Sequence, residues 1–292
     1  MTGTKYGIVV GYDGSECGEL ALEWAIEEAR MRHIRLTICH IWQFPYTGFY
    51  APATAEPERA AEQMLQAAVT RVRSDASDVE LRPLLACGSA ARHLVDFGPY
   101  ADVVVVGTHG RSGIRELMLG SVSSQVAMHC TGPVIVVRGR PDLPPEDYPG
   151  RVVVGADGSP AADRALALAF EEAQLRGVPL TAVCAWTRPD KDAAQALYVE
   201  QDGLRTFAGE RLHEAVDRLR GIYPGVKAVA ELTDEPVIEA LQSAADSAQL
   251  LVLGSRGVGA VRGRLLGSVS QTMLHQAPCS VAVVHAEAES HV

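Results

Sequence analysis

The sequence predicts an α/β chain in two similar halves, each a five-stranded parallel sheet with helices on both faces. Three observations carry this expectation. Apolar runs such as Val103-Val104-Val105-Val106 contain no polar residue, as expected of strands covered on both faces. Such runs alternate with helical patterns, and parallel strands need long right-handed crossovers of that kind. The stretch Val103 to Ser123, VVVVGTHGRSGIRELMLGSVS, returns 147 positions later as LLVLGSRGVGAVRGRLLGSVS, Leu250 to Ser270. A length of 292 residues suits two domains of ordinary size, each able to bury its own core.

Taken in order, the first strand, Ile8-Val9-Val10, ends in the turn Gly11-Tyr12-Asp13-Gly14-Ser15, and a helical pattern follows through about Met31. Gly11 and Asp13 therefore stand at a strand's carboxyl end, the edge where open parallel sheets bind ligands. Asp13 and Ser15 equally suit a helix cap. Their copies are Gly155, Asp157 and Ser159. A second strand runs from Arg35 to Trp42, matched by Leu180 to Trp186, with Ile41 and Ala185 preceding the coincident tryptophans. Cys39 and Cys184 fall within these strands and read as buried packing residues. Residues 43–60, rich in Pro and aromatic side chains, read as a loop. A helix from about Glu58 to Ser74, a strand near Glu80 to Ala86 and a helix from about Ala90 to Phe97 lead to the strand at Val103. Beyond the duplicated stretch come a helix from about Ser121 to His129, the break Gly132-Pro133 and a last strand, Val134 to Val137.

The segment Arg138 to Arg151 replaces apolar periodicity with four prolines and mixed charges, so it reads as a linker between domains 1–146 and 147–292. The second half repeats the five strands. Three additional residues fall between Trp186 and about Lys227, with the charged segment Arg188 to Asp192 their expected place. Its third strand ends at Thr233-Asp234-Glu235-Pro236 where the first copy has Ala86-Cys87-Gly88-Ser89, a difference beside the expected pocket that leaves equal affinity of the two sites open.

The duplicated stretch reads G-x-x-G, nine residues, then G-S-V-S, placing Gly107, Gly110, Gly120, Ser121, Val122 and Ser123 against Gly254, Gly257, Gly267, Ser268, Val269 and Ser270. Glycines let backbone N–H groups approach a ligand, and a helix start offers unpaired donors and partial positive charge. The combination favours a phosphate, with the serine hydroxyls adding donors and Gly120 leaving room for the anion. A lone G-x-x-G fits a simple turn; the fixed interval, the G-S-V-S and the duplication favour a binding site. His109 lies inside the first copy and Arg256 in the second, so phosphate contact is their expected shared role, ahead of proton transfer or metal ligation. Arg111 and Val258 follow in the same loops.

These motifs resemble the nucleotide-binding motif of the universal stress protein family, and the resemblance extends over nearly the whole chain, twice. It implies two Rossmann-like domains of the adenine-nucleotide alpha-hydrolase-like kind, binding up to two ATP per chain, with Mg²⁺ screening the phosphates. It places Asp13 and Asp157 against the adenosine part of the nucleotide, and Ile41 and Ala185 on the adenine, although core packing would explain Ile41 equally well. It also implies an intramolecular pseudo-dimer through the last strands, Val134 to Val137 and Val281 to Val284, with a homodimer of whole chains left open; a second copy would cover an exposed apolar edge. The expected function is that of an ATP-binding regulatory or stress-response protein, with no catalytic residue and no metal ligand assigned and slow hydrolysis still compatible. The alternative is an ATP-hydrolysing or nucleotidyl-transferring enzyme with an unrecognised base, and a third reading is a dimerisation scaffold with vestigial pockets.

Composition narrows the partners. With 26 basic and 36 acidic residues the net charge is −10, which disfavours nucleic acid and anionic membrane and favours a small ligand. Six cysteines without a close C-x-x-C pair argue against zinc and thioredoxin-type centres. His40, His93 and His129 show no metal-ligand spacing. There is no P-loop, no S-G-G-x-D-S and no G-x-G-x-x-G after either first strand. No run approaches the ~20 apolar residues of a membrane helix, and the amino terminus lacks a charged-then-apolar leader, so a cytoplasmic location is expected.

Overall fold

The computed structural model describes residues 5–43, 56–110, 119–139, 150–186, 201–257 and 266–285. The chain divides into two units, Met1–Gly139 and Arg140–Val292. The boundary expected between 146 and 147 lies outside the described residues, as do Arg111, Val258 and residues 188–192.

The first unit contains β1 (Ile8–Gly11), α1 (Glu16–Arg32), β2 (Leu36–Trp42), α2 (Glu56–Asp75), β3 (Leu81–Cys87), α3 (Ala90–Phe97), β4 (Val103–Gly107), α4 (Ser121–His129) and β5 (Val134–Val137). The second repeats it as β6 (Val152–Gly155), α5 (Pro160–Arg176), β7 (Leu180–Ala185), α6 (Gln201–Ile222), β8 (Ala228–Thr233), α7 (Val237–Ala245), β9 (Leu250–Gly254), α8 (Ser268–Gln276) and β10 (Ser280–Val284). Within the first unit the strand order is β3-β2-β1-β4-β5, all parallel. The second unit has β8-β7-β6-β9-β10, also parallel. Each is the Rossmann-like arrangement expected.

Burial explains the apolar runs. Ile8, Val9, Val10, Val152, Val153 and Val154 are fully buried, with helices on either side of them. The chain winds outward from β1 through β2 to β3, then returns to β4 on the other side, so the order reverses between β1 and β4. That reversal opens a crevice at the strands' carboxyl ends. In the second unit the crevice lies between β6 and β9.

Local chemistry sets the helix ends. Ser15 caps α1 by accepting a hydrogen bond from the Gly18 N–H, and Ser159 caps α5 by accepting one from Ala162, with Pro160 in the first turn. Both helices end in a left-handed residue, His33 in α1 and Gly177 in α5. Each also carries a fully buried glutamate paired one turn on with an arginine, Glu28 with Arg32 and Glu172 with Arg176. A carboxylate taken from water needs such a partner.

Candidate functional site

The first link of the site is the turn after β1 and β6. Asp13 Oδ1 accepts from the Ser15 N–H at 3.0 Å, and the Ser15 hydroxyl lies 2.6 Å from the same oxygen. Asp157 Oδ1 accepts from the Ser159 N–H at 3.0 Å, while the Ser159 hydroxyl donates to the Arg256 carbonyl at 3.1 Å. The serines are therefore the helix caps, and the aspartates fold back over the turn. Their second oxygens face the glycine loops. A Cβ added to Gly110 would stand 2.6 Å from Asp13 Oδ2, and one on Gly257 would collide with Asp157 Oδ2. Only glycine lets loop and carboxylate approach this closely.

Gly107 and Gly254 carry a packing constraint in addition to the ligand-facing part expected of them. A Cβ at Gly107 would collide with the Cys17 carbonyl at the start of α1, and one at Gly254 would meet the Ala161 backbone at 2.8 Å. They let the helix start press onto the strand end. Gly11 and Gly155 similarly leave room for Leu94 and Leu253, each 2.8 Å from the added Cβ.

The second link is the start of α4 and α8. Gly120 and Gly267 occupy the cap positions with φ of −61° and −73°, and neither helix has a side-chain cap. Their own N–H groups donate to the Thr108 and Ser255 carbonyls at 2.7 and 2.6 Å. The first-turn N–H groups, 121–123 and 268–270, have no acceptor within the helix. A Cβ at Gly120 would stand 3.0 Å from the Thr108 carbonyl oxygen, and one at Gly267 would stand 3.4 Å from that of Ser255.

The serines divide into two kinds, which corrects the expectation that all add donors. The buried Ser123 donates its hydroxyl to the Gly107 carbonyl at 2.6 Å, and Ser270 does the same to Gly254 at 2.6 Å. Those protons tie helix to strand. Ser121 and Ser268 are exposed, with Val122 and Val269 half-buried beside them.

In the second unit these parts enclose a cavity of about 790 Å³. Gly155, Asp157, Ala185, Gly254, Arg256, Gly257, Gly267, Ser268, Val269 and Ser270 all line it. Val237 and Leu241 from α7, with Trp186, Cys184 and Ala208, complete the wall. Val237, Leu241 and Ala208 were not singled out in the sequence; a buried leucine on an amphipathic helix looks like any core residue. Cys184 is half-buried and faces the cavity, unlike the fully buried Cys39. Burial, and then Asp157, push the Cys184 thiol pKa up, which keeps it protonated.

The matching residues of the first unit stand at matching places. Ile41 is half-buried at the end of β2, and His109 is half-buried in the glycine loop. His109 Nε2 has no hydrogen-bond partner among the described residues, whereas the Arg256 side chain is exposed on the cavity wall. His40 is core: its Nδ1 lies 2.8 Å from the Tyr12 carbonyl. Among the described residues there is no cluster of three or more metal-ligating side chains, and no helix is long and apolar enough to cross a membrane.

Comparison with known proteins gives the same fold and repeat. The model of the universal stress protein family matches residues 7–138 and again 149–285. A universal stress protein of Mycolicibacterium smegmatis is 33% identical over 294 residues, covering 97% of this chain and 98% of that protein. Another, from Mycobacterium tuberculosis, is 32% identical over 289 residues, covering 96% and 97%. The crystal structure of a universal stress protein from Archaeoglobus fulgidus superposes with a TM-score of 0.66 at 18% identity, covering 97% of each chain. Two consecutive family matches, full-length relatives and one shared fold place the chain in the universal stress protein family, in a tandem form that carries two family domains.

Proposed function

We propose that each half binds one ATP at the carboxyl edge of its sheet and that the protein acts as a nucleotide-dependent regulator rather than as an enzyme. The observation that carries this reading is the pair of bare helix starts that follow the duplicated glycine loops. α1 and α5 are capped by serine side chains, whereas α4 and α8 are not, and α8 opens onto the large cavity. Unpaired N–H groups and the helix dipole favour an anion there. The phosphates would sit against Gly267, Ser268 and Val269 with Arg256 beside them. The apolar wall of Val237 and Leu241 and the end of β7 at Ala185 would take the base. The volume lies within the roughly 300–1,000 Å³ of small-ligand sites. Mg²⁺ would travel with the phosphates, since in nucleotide sites it is held largely by substrate phosphates and water. The net charge of −10 supports a small-molecule ligand over nucleic acid or membrane, and the location proposed is cytoplasmic.

The test is calorimetric titration of ATP·Mg²⁺ into the full chain and into Gly120→Glu and Gly267→Glu. Wild type should take two ATP per chain, and each variant one. A carboxylate at the helix start repels the anion and fills its place. Losing a single charge-assisted contact of about 1.5–3 kcal/mol weakens binding ~10- to 100-fold, and exclusion adds to that. Neither position has the left-handed backbone that would make every side chain costly. Unchanged ATP affinity at both sites alongside lowered melting, or tight NAD binding without ATP binding, would overturn the proposal.

A further inference from the structure

The two repeats differ at one position in a way that opens a second chamber. Tyr12, between Gly11 and Asp13, corresponds to Ala156, between Gly155 and Asp157. In the first unit the Tyr12 ring is buried and its hydroxyl donates to Glu19 on α1, which is ion-paired with Arg71 on α2. Met64 of α2 packs on the following turn, its sulfur 3.1 Å from where a Cβ on Gly14 would stand. The second unit keeps an acid and a base at the matching places, Asp163 on α5 and Arg218 on α6, but Ala156 replaces the phenol and Arg211 replaces Met64. Nothing lies within 4 Å of a Cβ on Gly158, the counterpart of Gly14. The result is a chamber of about 590 Å³ between α5 and α6, lined by Ala156, Asp163, Leu166, Phe207, Arg211 and Arg218 among others. It adjoins the larger cavity at Ala156, Asp157, Cys184 and Trp186.

We propose that this chamber is a binding site, present in the second repeat alone, for a hydroxylated aromatic compound of one or two rings. The first repeat carries its own occupant and so shows what the site accepts: a buried phenol ring, its hydroxyl on a carboxylate backed by an arginine. The ligand's ring takes the place of the Tyr12 ring, and its hydroxyl donates to Asp163 beside Arg218. The chamber is larger than one ring needs. Phe207, 57% exposed, and Trp186 offer further aromatic faces, and the Arg211 guanidinium stands 6.0 Å from the Phe207 ring centre. Small-ligand sites are mostly lined by apolar and aromatic side chains with a few placed polar groups, which is the make-up of this chamber. The chamber shares Ala162 and Ala208 with the neighbouring cavity as well, but Asp163, Arg211 and Arg218 line the chamber and not that cavity, so the phenol is expected to bind alongside ATP.

The probe is 4-methylphenol, the tyrosine side chain as a free molecule, followed by saturation-transfer NMR on the full chain with and without saturating ATP. Wild type should show saturable binding that ATP does not displace. Ala156→Tyr, which restores the plug of the first repeat, should abolish it, and so should Ala215→Phe, which fills the chamber from α6. Tyr12→Ala should add a second equivalent of bound phenol. Absence of saturable binding to wild type, binding displaced by ATP, or binding retained in folded Ala156→Tyr and Ala215→Phe each overturns the proposal. ATP titration of the same samples reads the nucleotide site separately.

Discussion

Tyr12 shows how much one side chain decides. Burial, reinforced by its hydrogen bond to the Glu19 carboxylate, pushes its hydroxyl pKa from 10.0 up to about 12. The folded state thus holds the proton more tightly than the unfolded chain. That contribution to stability is fully present below pH 10 and is lost as pH rises through 12. Tyr12→Phe keeps the ring and removes the titration, so the stability difference between wild type and variant should shrink between pH 10 and 12. Denaturant melts across that range, with tyrosinate absorbance as the companion readout, check it; an ordinary phenol titration would defeat the argument. Gly110 and Gly257 make the same point: a single methyl group there would push the aspartate carboxylate out of its turn.

At the scale of elements, the inner strands β1, β4, β6 and β9 were legible because burial on both faces removes polar residues from them, as Val103 to Val106 show. Boundaries moved only slightly: α2 begins at Glu56 rather than Glu58, and β3 runs Leu81–Cys87 rather than Glu80 to Ala86. The glycines and serines of the site were legible from their spacing, but their division of labour was not. That Ser123 spends its proton on the Gly107 carbonyl depends on how helix and strand pack, which no local pattern records. The chamber was hidden similarly, since Tyr12 and Ala156 acquire meaning only when both turns are seen against their helices. The repeats also differ at the end of the first helix, where His33 holds a left-handed φ of 52° and Gly177 one of 65°. Glycine adopts that backbone without steric cost. His33→Gly should therefore raise stability by about 0.5–1 kcal/mol, seen as a shift of the denaturant midpoint at constant slope. A loss of stability would show that the exposed imidazole makes a compensating contact.

On the scale of the whole molecule, one chain carries two copies of a fold whose sites have been kept alike in backbone and allowed to drift in side chains. His109 corresponds to Arg256, Cys17 to Ala161, and the third strands end in unrelated sequences. With the proposed sites filled, a tandem chain would sense two concentrations of one nucleotide, or one nucleotide and a second compound, without a second gene product. The bare starts of α4 and α8 give a way to watch this. Amides that no side chain covers exchange their hydrogens with solvent almost freely, and a bound phosphate would shield them. Deuterium uptake at residues 121–123 and 268–270, followed peptide by peptide as ATP is raised, should fall at two distinct nucleotide concentrations. Each half of the molecule thus carries its own clock, and the order in which the two slow down would tell which site fills first.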